Sequence, residues 1–265
     1  MSNRAPDSSS VFPSPHNDVV RDSFTQQVGL FTGENSPFAR RFASPRAWVE
    51  PLDAEMIVLD VACGAGHAAE QAAPHVRQVV GIDITPALLR AGAERVRAAG
   101  LDNVLFQEGD AMALPFLDRS FDLVVCRSSL HHFPDTRRAV AEMARVCRPG
   151  GRVVVSDMIA PSAEVRDRFD ELHRHIDPSH VHALVESEVA ELVVDVVGPL
   201  SYGDTTSITL PIDAIVTDAA DRDAAMSMLL DDVGRNTTGF DPVRNGDDVI
   251  VSFTGTVVHA RRAPG

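Results

Sequence analysis

The sequence predicts an α/β protein built on a doubly wound, mostly parallel sheet. Three observations lead there. Short apolar, β-branched runs alternate with helical stretches between residues 56 and 157, the rhythm of βαβ units. A glycine-rich turn, Cys63-Gly64-Ala65-Gly66, directly follows the first run. Acids stand at the ends of the first three runs: Asp60, Asp83, then Glu108 and Asp110.

The elements follow in order. Strands are expected over 56–61 and 78–83, with a helix over 66–73 between them. Pro86 stands at a first helical position behind Thr85 as N-cap, and Gly100 ends the helix that begins there. A third strand covers 104–107. Residues 121–126 are almost wholly apolar, as in a strand buried on both faces. A helix over 135–147 closes at the Arg148-Pro149-Gly150-Gly151 turn, and a fifth strand runs over 152–157.

Past Asp157 the rhythm breaks. A charged amphipathic helix is expected over 163–176, a loop over 178–182, and a short helix over 186–193 leading into a strand near 194–197. Residues 211–233 read as mostly helical and 248–260 as a long final strand. Upstream, Val20, Phe24, Val28 and Phe31 fall at helical spacing until Gly33 and Pro37 break the run. The Pro- and Ser-rich residues 1–17 read as a disordered tail. The expected organisation is therefore one domain over 18–265. It has N-terminal helices over 18–50 and an insertion over 158–185, a helical lid on the sheet's carboxyl edge.

Composition excludes several classes. Lys and Arg number 24 against 38 Asp and Glu, a net charge of −14, which argues against a nucleic-acid partner. Three cysteines without paired spacing fit reduced thiols, and no Cys/His ligand pattern indicates a metal. No run reaches membrane-spanning length and no leader pattern opens the chain, so a cytoplasmic protein is expected. Oligomeric state is not legible.

The turn and the acids carry the chemistry. A glycine turn after a strand lets a ligand approach backbone that a Cβ would block. Acids at the next two strand ends can accept hydrogen bonds from a ribose and from an adenine amino group, a set that suits S-adenosylmethionine. The Gly64-x-Gly66-x-x-Ala69 spacing fits a nicotinamide dinucleotide as well. Asp60 before the turn, Asp110 after strand three and the Arg-Pro-Gly-Gly turn favour S-adenosylmethionine.

These pieces, with Leu114-Pro115-Phe116, Ser120-Phe121-Asp122 and Leu130-His131-His132-Phe133, resemble the class I S-adenosylmethionine-dependent methyltransferases. The resemblance is strongest to the ubiquinone/menaquinone C-methyltransferase-like branch, which includes many natural-product O- and C-methyltransferases. It covers about residues 58–157. It implies a seven-stranded Rossmann-like sheet whose last strand is antiparallel, and a small, partly apolar acceptor. It implies that Asp60 and the backbone of Ala62, Cys63, Gly64 and Gly66 serve the methionine part. Asp83 would take the ribose hydroxyls, Ile84 would pack on adenine, and Asp110 with the Ala111 amide would hold the adenine amino group. Arg127 would sit by the methionine end, and Phe24 and Phe31 would close the site. Ala62 departs from the glycine that many members carry.

The resemblance also matches His131 and Asp157 to a His and an Asp that act together in related O-methyltransferases. An acceptor hydroxyl needs deprotonation, since a phenol has a pKa of about 10. A histidine near neutrality can supply it. His132 is a candidate for substrate contact beside it. His173, His175, His180 and His182 cluster in the expected lid. No ligand spacing supports a metal there, His173 and His175 lie on different helix faces, and most of the four are expected to face solvent. His180 is the best of them for substrate contact. The run Arg166, Asp167, Arg168, Asp170, Glu171 reads as a solvated face. An alternative keeps the donor but not the reaction: a protein of this fold that binds S-adenosylmethionine and catalyses something else, or only binds.

Overall fold

A computed structural model gives the fold for residues 14–32, 49–216, 221–246 and 248–263. The tail reading over 1–13, and the breakers Gly33 and Pro37, lie outside the described residues. The first five strands are β1 (Ile57–Val61), β2 (Gln78–Asp83), β3 (Val104–Glu108), β4 (Phe121–Arg127) and β5 (Cys147–Ile159). They are mutually parallel where they pair. β6 (Leu200–Pro211), β7 (Val243–Asn245) and β8 (Asp248–Arg261) complete one sheet in the order β3-β2-β1-β4-β5-β8-β6, with β7 beside β8. The final strand runs antiparallel to β5 and β6.

The sheet has eight strands where the resemblance implied seven. The added one is β7, whose Asn245 pairs Asp248 across a turn at Gly246, φ +66°. Asn-Gly is a hairpin signal. One further expectation is corrected. Residues 194–196 continue the helix α7 (Glu186–Val196) and Val197 caps it, because Val189, Leu192 and Val193 bury one helical face. The strand follows it, at Leu200–Pro211, and is mostly exposed. Without a buried face it shows little apolar alternation. Residues 211–233 are mostly helical where described, as expected, in a short 3-10 turn at Ile212–Ala214 and then α8 (Arg222–Asp232).

The helices of the βαβ layers are α3 (His67–Ala72), α4 (Pro86–Ala98) and α5 (Thr136–Val146). Two clusters of buried side chains flank the sheet, one around Leu59, Val124, Met143 and Val155, the other around Val58, Ala69, Val79 and Val125. A third cluster joins α6 (Arg166–Ile176) to α8 and the start of β8, through Phe169, Leu172, Leu229, Phe240 and Phe253. Helix α6 therefore shares a core with the last quarter of the chain.

The N-terminal helix α1 (Pro15–Gln26) starts inside the segment read as a tail, and a short α2 (Val28–Thr32) follows. The overlooked signal is Pro15 at the first helical position. Asn17 and Ser23 are buried under this helix. Among the described residues, no helix is long and apolar enough to cross a membrane.

Candidate active site

A cavity of about 290 Å³ runs along the carboxyl ends of the strands. The change of direction in strand order between β1 and β4 places it there. Its walls include Ala62, Cys63, Gly64, Asp83, Ile84, Asp110, Ala111 and Arg127 from the sheet ends, and Phe24 and Phe31 from α1 and α2. His131, His132 and Asp157 line the same space. Each was named from the sequence.

The turn after β1 is held open by unusual backbone. Ala62, Gly64 and Gly66 have φ of +52°, +55° and +72°. At Gly66 a Cβ would fall 2.5 Å from the Phe106 ring, so glycine is required there. Gly64 differs: a Cβ would meet only Leu88 at 3.9 Å and would occupy space on the cavity side. Alanine in the left-handed region costs roughly 1–2 kcal/mol. Ala62→Gly is expected to raise the melting temperature by about 2–4 °C, after loss of some unfolded-chain constraint. An unchanged or lower midpoint in a calorimetric scan would count against strain at Ala62.

Asp83 both shapes the turn and faces the cavity. One carboxylate oxygen accepts from the Gly64 amide and the other from the Thr85 amide, each at 2.8 Å. Burial raises its pKa, and those amides pull it back. Asp110 accepts from the Met112 amide at 2.8 Å and from the Asn17 side chain at 3.2 Å. The α1 helix is stitched over this end. His16 Nε2 donates to the His132 carbonyl at 2.7 Å, and Arg21 Nε to the Ile84 carbonyl at 3.2 Å. His16 and Asn17 line the cavity too, and the sequence reading missed them because it placed them in the tail.

Asp60 and Gly66 do not line the cavity. Asp60 lies buried behind the turn and accepts from the Ala69 amide at 3.2 Å, so it supports the helix start and does not face a ligand. Burial lifts its pKa to about 7, against the pull of Arg127. A carboxyl raised in the folded state binds a proton that the unfolded chain has lost, so stability falls as pH climbs from about 4 through 7. Asp60→Asn is expected to match the parent near pH 5 and to lose less stability by pH 8, by roughly a few kcal/mol at most. Parallel stability curves in urea at the two pH values would refute this.

At the far end, β4 and β5 bring His131 and Asp157 together. His131 Nδ1 donates to Asp157 Oδ1 at 2.6 Å, and the His131 amide donates to Oδ2 at 3.0 Å. That fixes the ring and turns Nε2 to the cavity. Burial opposes charging this imidazole, but the Asp157 charge and hydrogen bond outweigh it, and its pKa lies above the ordinary value. His132 is a different group. Burial, then the His131 charge, pulls it down to about 4. Its Nδ1 lies 3.1 Å from the Ser179 carbonyl, and its ring meets Phe24 edge-on at 5.1 Å.

The lid corrects the sequence reading most. His180 does not line the cavity: its ring is fully buried, with Nε2 at 2.7 Å from Asp170 Oδ1. His173 lines the cavity instead, stacked on His180 with centroids 4.1 Å apart. Neither faces solvent. Burial holds both pKa values down, helped for His173 by His180 and for His180 by His131. Asp170 is also buried, bonding His180, His182 and the Ala183 amide, so the charged run is not wholly a solvated face. Ile176 and Asp177 of the lid line the cavity as well.

The comparisons with known proteins agree with this geometry. A methyltransferase-domain family pattern matches residues 59–155. An uncharacterised methyltransferase, YcgJ of Bacillus subtilis, is 41% identical over 161 residues, 60% of this chain and 62% of that one. Its crystal structure superposes with a TM-score of 0.71 at 30% identity, covering 81% of this chain and 94% of that chain. A demethylmenaquinone methyltransferase of Porphyromonas gingivalis is 32% identical over 56% of this chain and 63% of its own length. The 27-O-demethylrifamycin SV methyltransferase of Amycolatopsis mediterranei is 38% identical over 46% of each chain. The chain thus spans between about half and two thirds of these curated relatives. The fold and the strand-end cavity define a class I methyltransferase scaffold. The chain belongs to the S-adenosylmethionine-dependent methyltransferase family.

Proposed function

We propose that the protein transfers a methyl group from S-adenosylmethionine to a small, partly apolar molecule, at a hydroxyl oxygen or at a ring carbon activated by one. The observation that carries this is the pairing of ends in one cavity. Asp83 and Asp110 stand at one end and the Asp157-held His131 at the other. The donor supplies an electrophilic methyl on a sulfonium. Everything else falls to the chain.

The carboxylates of Asp83 and Asp110 keep lone pairs beyond those used by the backbone, so they can accept from ribose hydroxyls and an adenine amino group. Ile84 and the Ala111 amide flank that end. The backbone at Ala62–Gly64 and the Arg127 side chain suit the methionine part. Phe24 and Phe31, 5.6 Å apart, shield the site from water. Holding donor and acceptor in line supplies several kcal/mol of barrier reduction. His131 Nε2 takes the acceptor's proton, and Asp157 stabilises the imidazolium that forms. His132 stays neutral and packs beside it.

The substrate class draws on two of the relatives, one named a demethylmenaquinone methyltransferase and the other a 27-O-demethylrifamycin SV methyltransferase. The test is a panel of quinols, phenols and hydroxylated macrocycles incubated with labelled S-adenosylmethionine. The expected result is label in one acceptor class, with S-adenosylhomocysteine released in equal amount. Acceptor consumed without S-adenosylhomocysteine would assign a non-methylating reaction on this scaffold. Calorimetric binding of NAD and not of the donor would overturn the reading.

A further inference from the structure

The geometry points to a divalent transition-metal site at the acceptor end of the cavity, formed by His131, His173 and His180. One nitrogen from each ring lies within 4.8 Å of one nitrogen from each of the others, and all three residues are buried. The three come from two distant stretches of chain. His131 follows β4, whereas His173 sits on α6 and His180 in the loop after it. A search for local ligand spacing does not find such a set.

The surroundings fit ligation better than packing. Two of the rings present a nitrogen inward because the other one is held by a carboxylate. His131 bonds Asp157 at 2.6 Å and His180 bonds Asp170 at 2.7 Å. Histidines that ligate metals characteristically donate their other N–H to a carboxylate. Nδ1 of His173 and Nδ1 of His180 are buried without a hydrogen-bond partner. An orphaned buried polar atom is costly and calls for an unseen partner. Packing alone would favour an apolar ring at position 173, whose other neighbours are Phe169 and Phe240, each 6.1 Å away edge-on.

Three neutral imidazoles suit zinc and its neighbours in the first transition row. Nitrogens sharing one tetrahedral ion sit about 3.3 Å apart, so the His173 and His180 rings, now stacked with centroids 4.1 Å apart, have to turn out of their stack to aim one nitrogen each at the ion. Asp157, Asp170 and Asp177 supply nearby negative charge. His131 and His173 line the cavity, which leaves a fourth position facing the acceptor. The role there rests on the methyl-transfer reading. The acceptor hydroxyl would bind the ion as an alkoxide or phenoxide and release its proton to solvent. The oxygen–methyl bond would then form as the sulfur–methyl bond breaks, leaving a thioether. In that state the ion does the work that His131 does alone in the metal-free protein.

The test uses the full chain, stripped with a chelator and titrated with Co²⁺ in the absence of donor, then with Zn²⁺. The expected result is one equivalent of Co²⁺, with the visible absorption of a nitrogen-rich site, displaced by Zn²⁺. His173→Phe should melt no lower than the parent and bind no Co²⁺. Asp170→Asn should weaken binding by about 10–100-fold. If His173→Phe does not fold, His131→Gln is read in its place. Absence of stoichiometric Co²⁺ or Zn²⁺ binding, or parental affinity in these variants, overturns the site. S-adenosylhomocysteine affinity is measured on the same samples. Its retention without metal binding overturns the metal site alone, and its absence overturns the donor reading.

Discussion

Replacing His131 by alanine is expected to lower turnover by about 10²–10⁴-fold and to leave donor affinity unchanged. The ring is the group in the cavity that holds an available nitrogen against a fixed carboxylate, 2.6 Å from Asp157. Its Nδ1–H is committed to that contact, so proton removal has to use Nε2. Asp157→Asn is expected to lower turnover strongly as well, because an amide no longer stabilises the imidazolium and can hold the ring in the wrong tautomer. Single-turnover rates with saturating donor, beside donor titrations, separate chemistry from binding. Parental turnover in both variants would remove His131 and Asp157 from the mechanism. His173→Phe adds a further division: it leaves the pair intact and removes the proposed ion.

The second large effect is at the other end. Asp83→Ala is expected to weaken donor binding by about 10- to 150-fold, the range that follows from losing one charge-assisted hydrogen bond. The loss reaches further than one ligand contact. Asp83 also receives the Gly64 and Thr85 amides, so its removal frees the loop that has to stay flat against the donor. Asp110→Ala is expected to cost less, because its structural bonds go to the Met112 amide and Asn17 and do not pin the glycine turn. Titration calorimetry with S-adenosylhomocysteine measures both. Equal affinities for the parent and Asp83→Ala would mean that the adenosine end lies elsewhere.

The end of the cavity lined by Ala62–Gly64, Asp83 and Asp110 was legible in the sequence for a local reason. Ala62–Gly64, Asp83 and Asp110 each sit at the end of a strand, and the strands announce themselves by short apolar runs. Once the sheet is parallel, its carboxyl ends fall along one edge, and residues at those ends meet without further information. Asp60 was the exception. Its position one residue inside β1 turns it behind the turn, a distinction of side-chain direction that spacing does not carry.

The acceptor half was legible only in part. His131, in the turn after β4, and Asp157, near the end of β5, meet along the same carboxyl edge. The lid is not read that way, because a helix face and a loop reach the cavity through tertiary packing. Asp170 reads as one more charge in a charged run, yet α6 turns it inward to hold two histidines. His180 stands in a loop of the kind that contacts substrates, yet it is packed behind His173. The α1 helix shows the same limit, since His16 and the buried Asn17 bond to groups roughly a hundred positions away.

The sequence by itself determined the βαβ scaffold, the glycine turn and the strand-end acids Asp83 and Asp110 that line the cavity, because periodicity, turn chemistry and strand ends are local properties of the chain. The tertiary structure alone decided which of the lid histidines meet His131, because that depends on how α6 shares its core with α8 and β8. A contact between residues forty positions apart has no local period to read. It is selected by the packing of Phe169, Leu172 and Phe240, and the imidazoles are carried to the cavity with them.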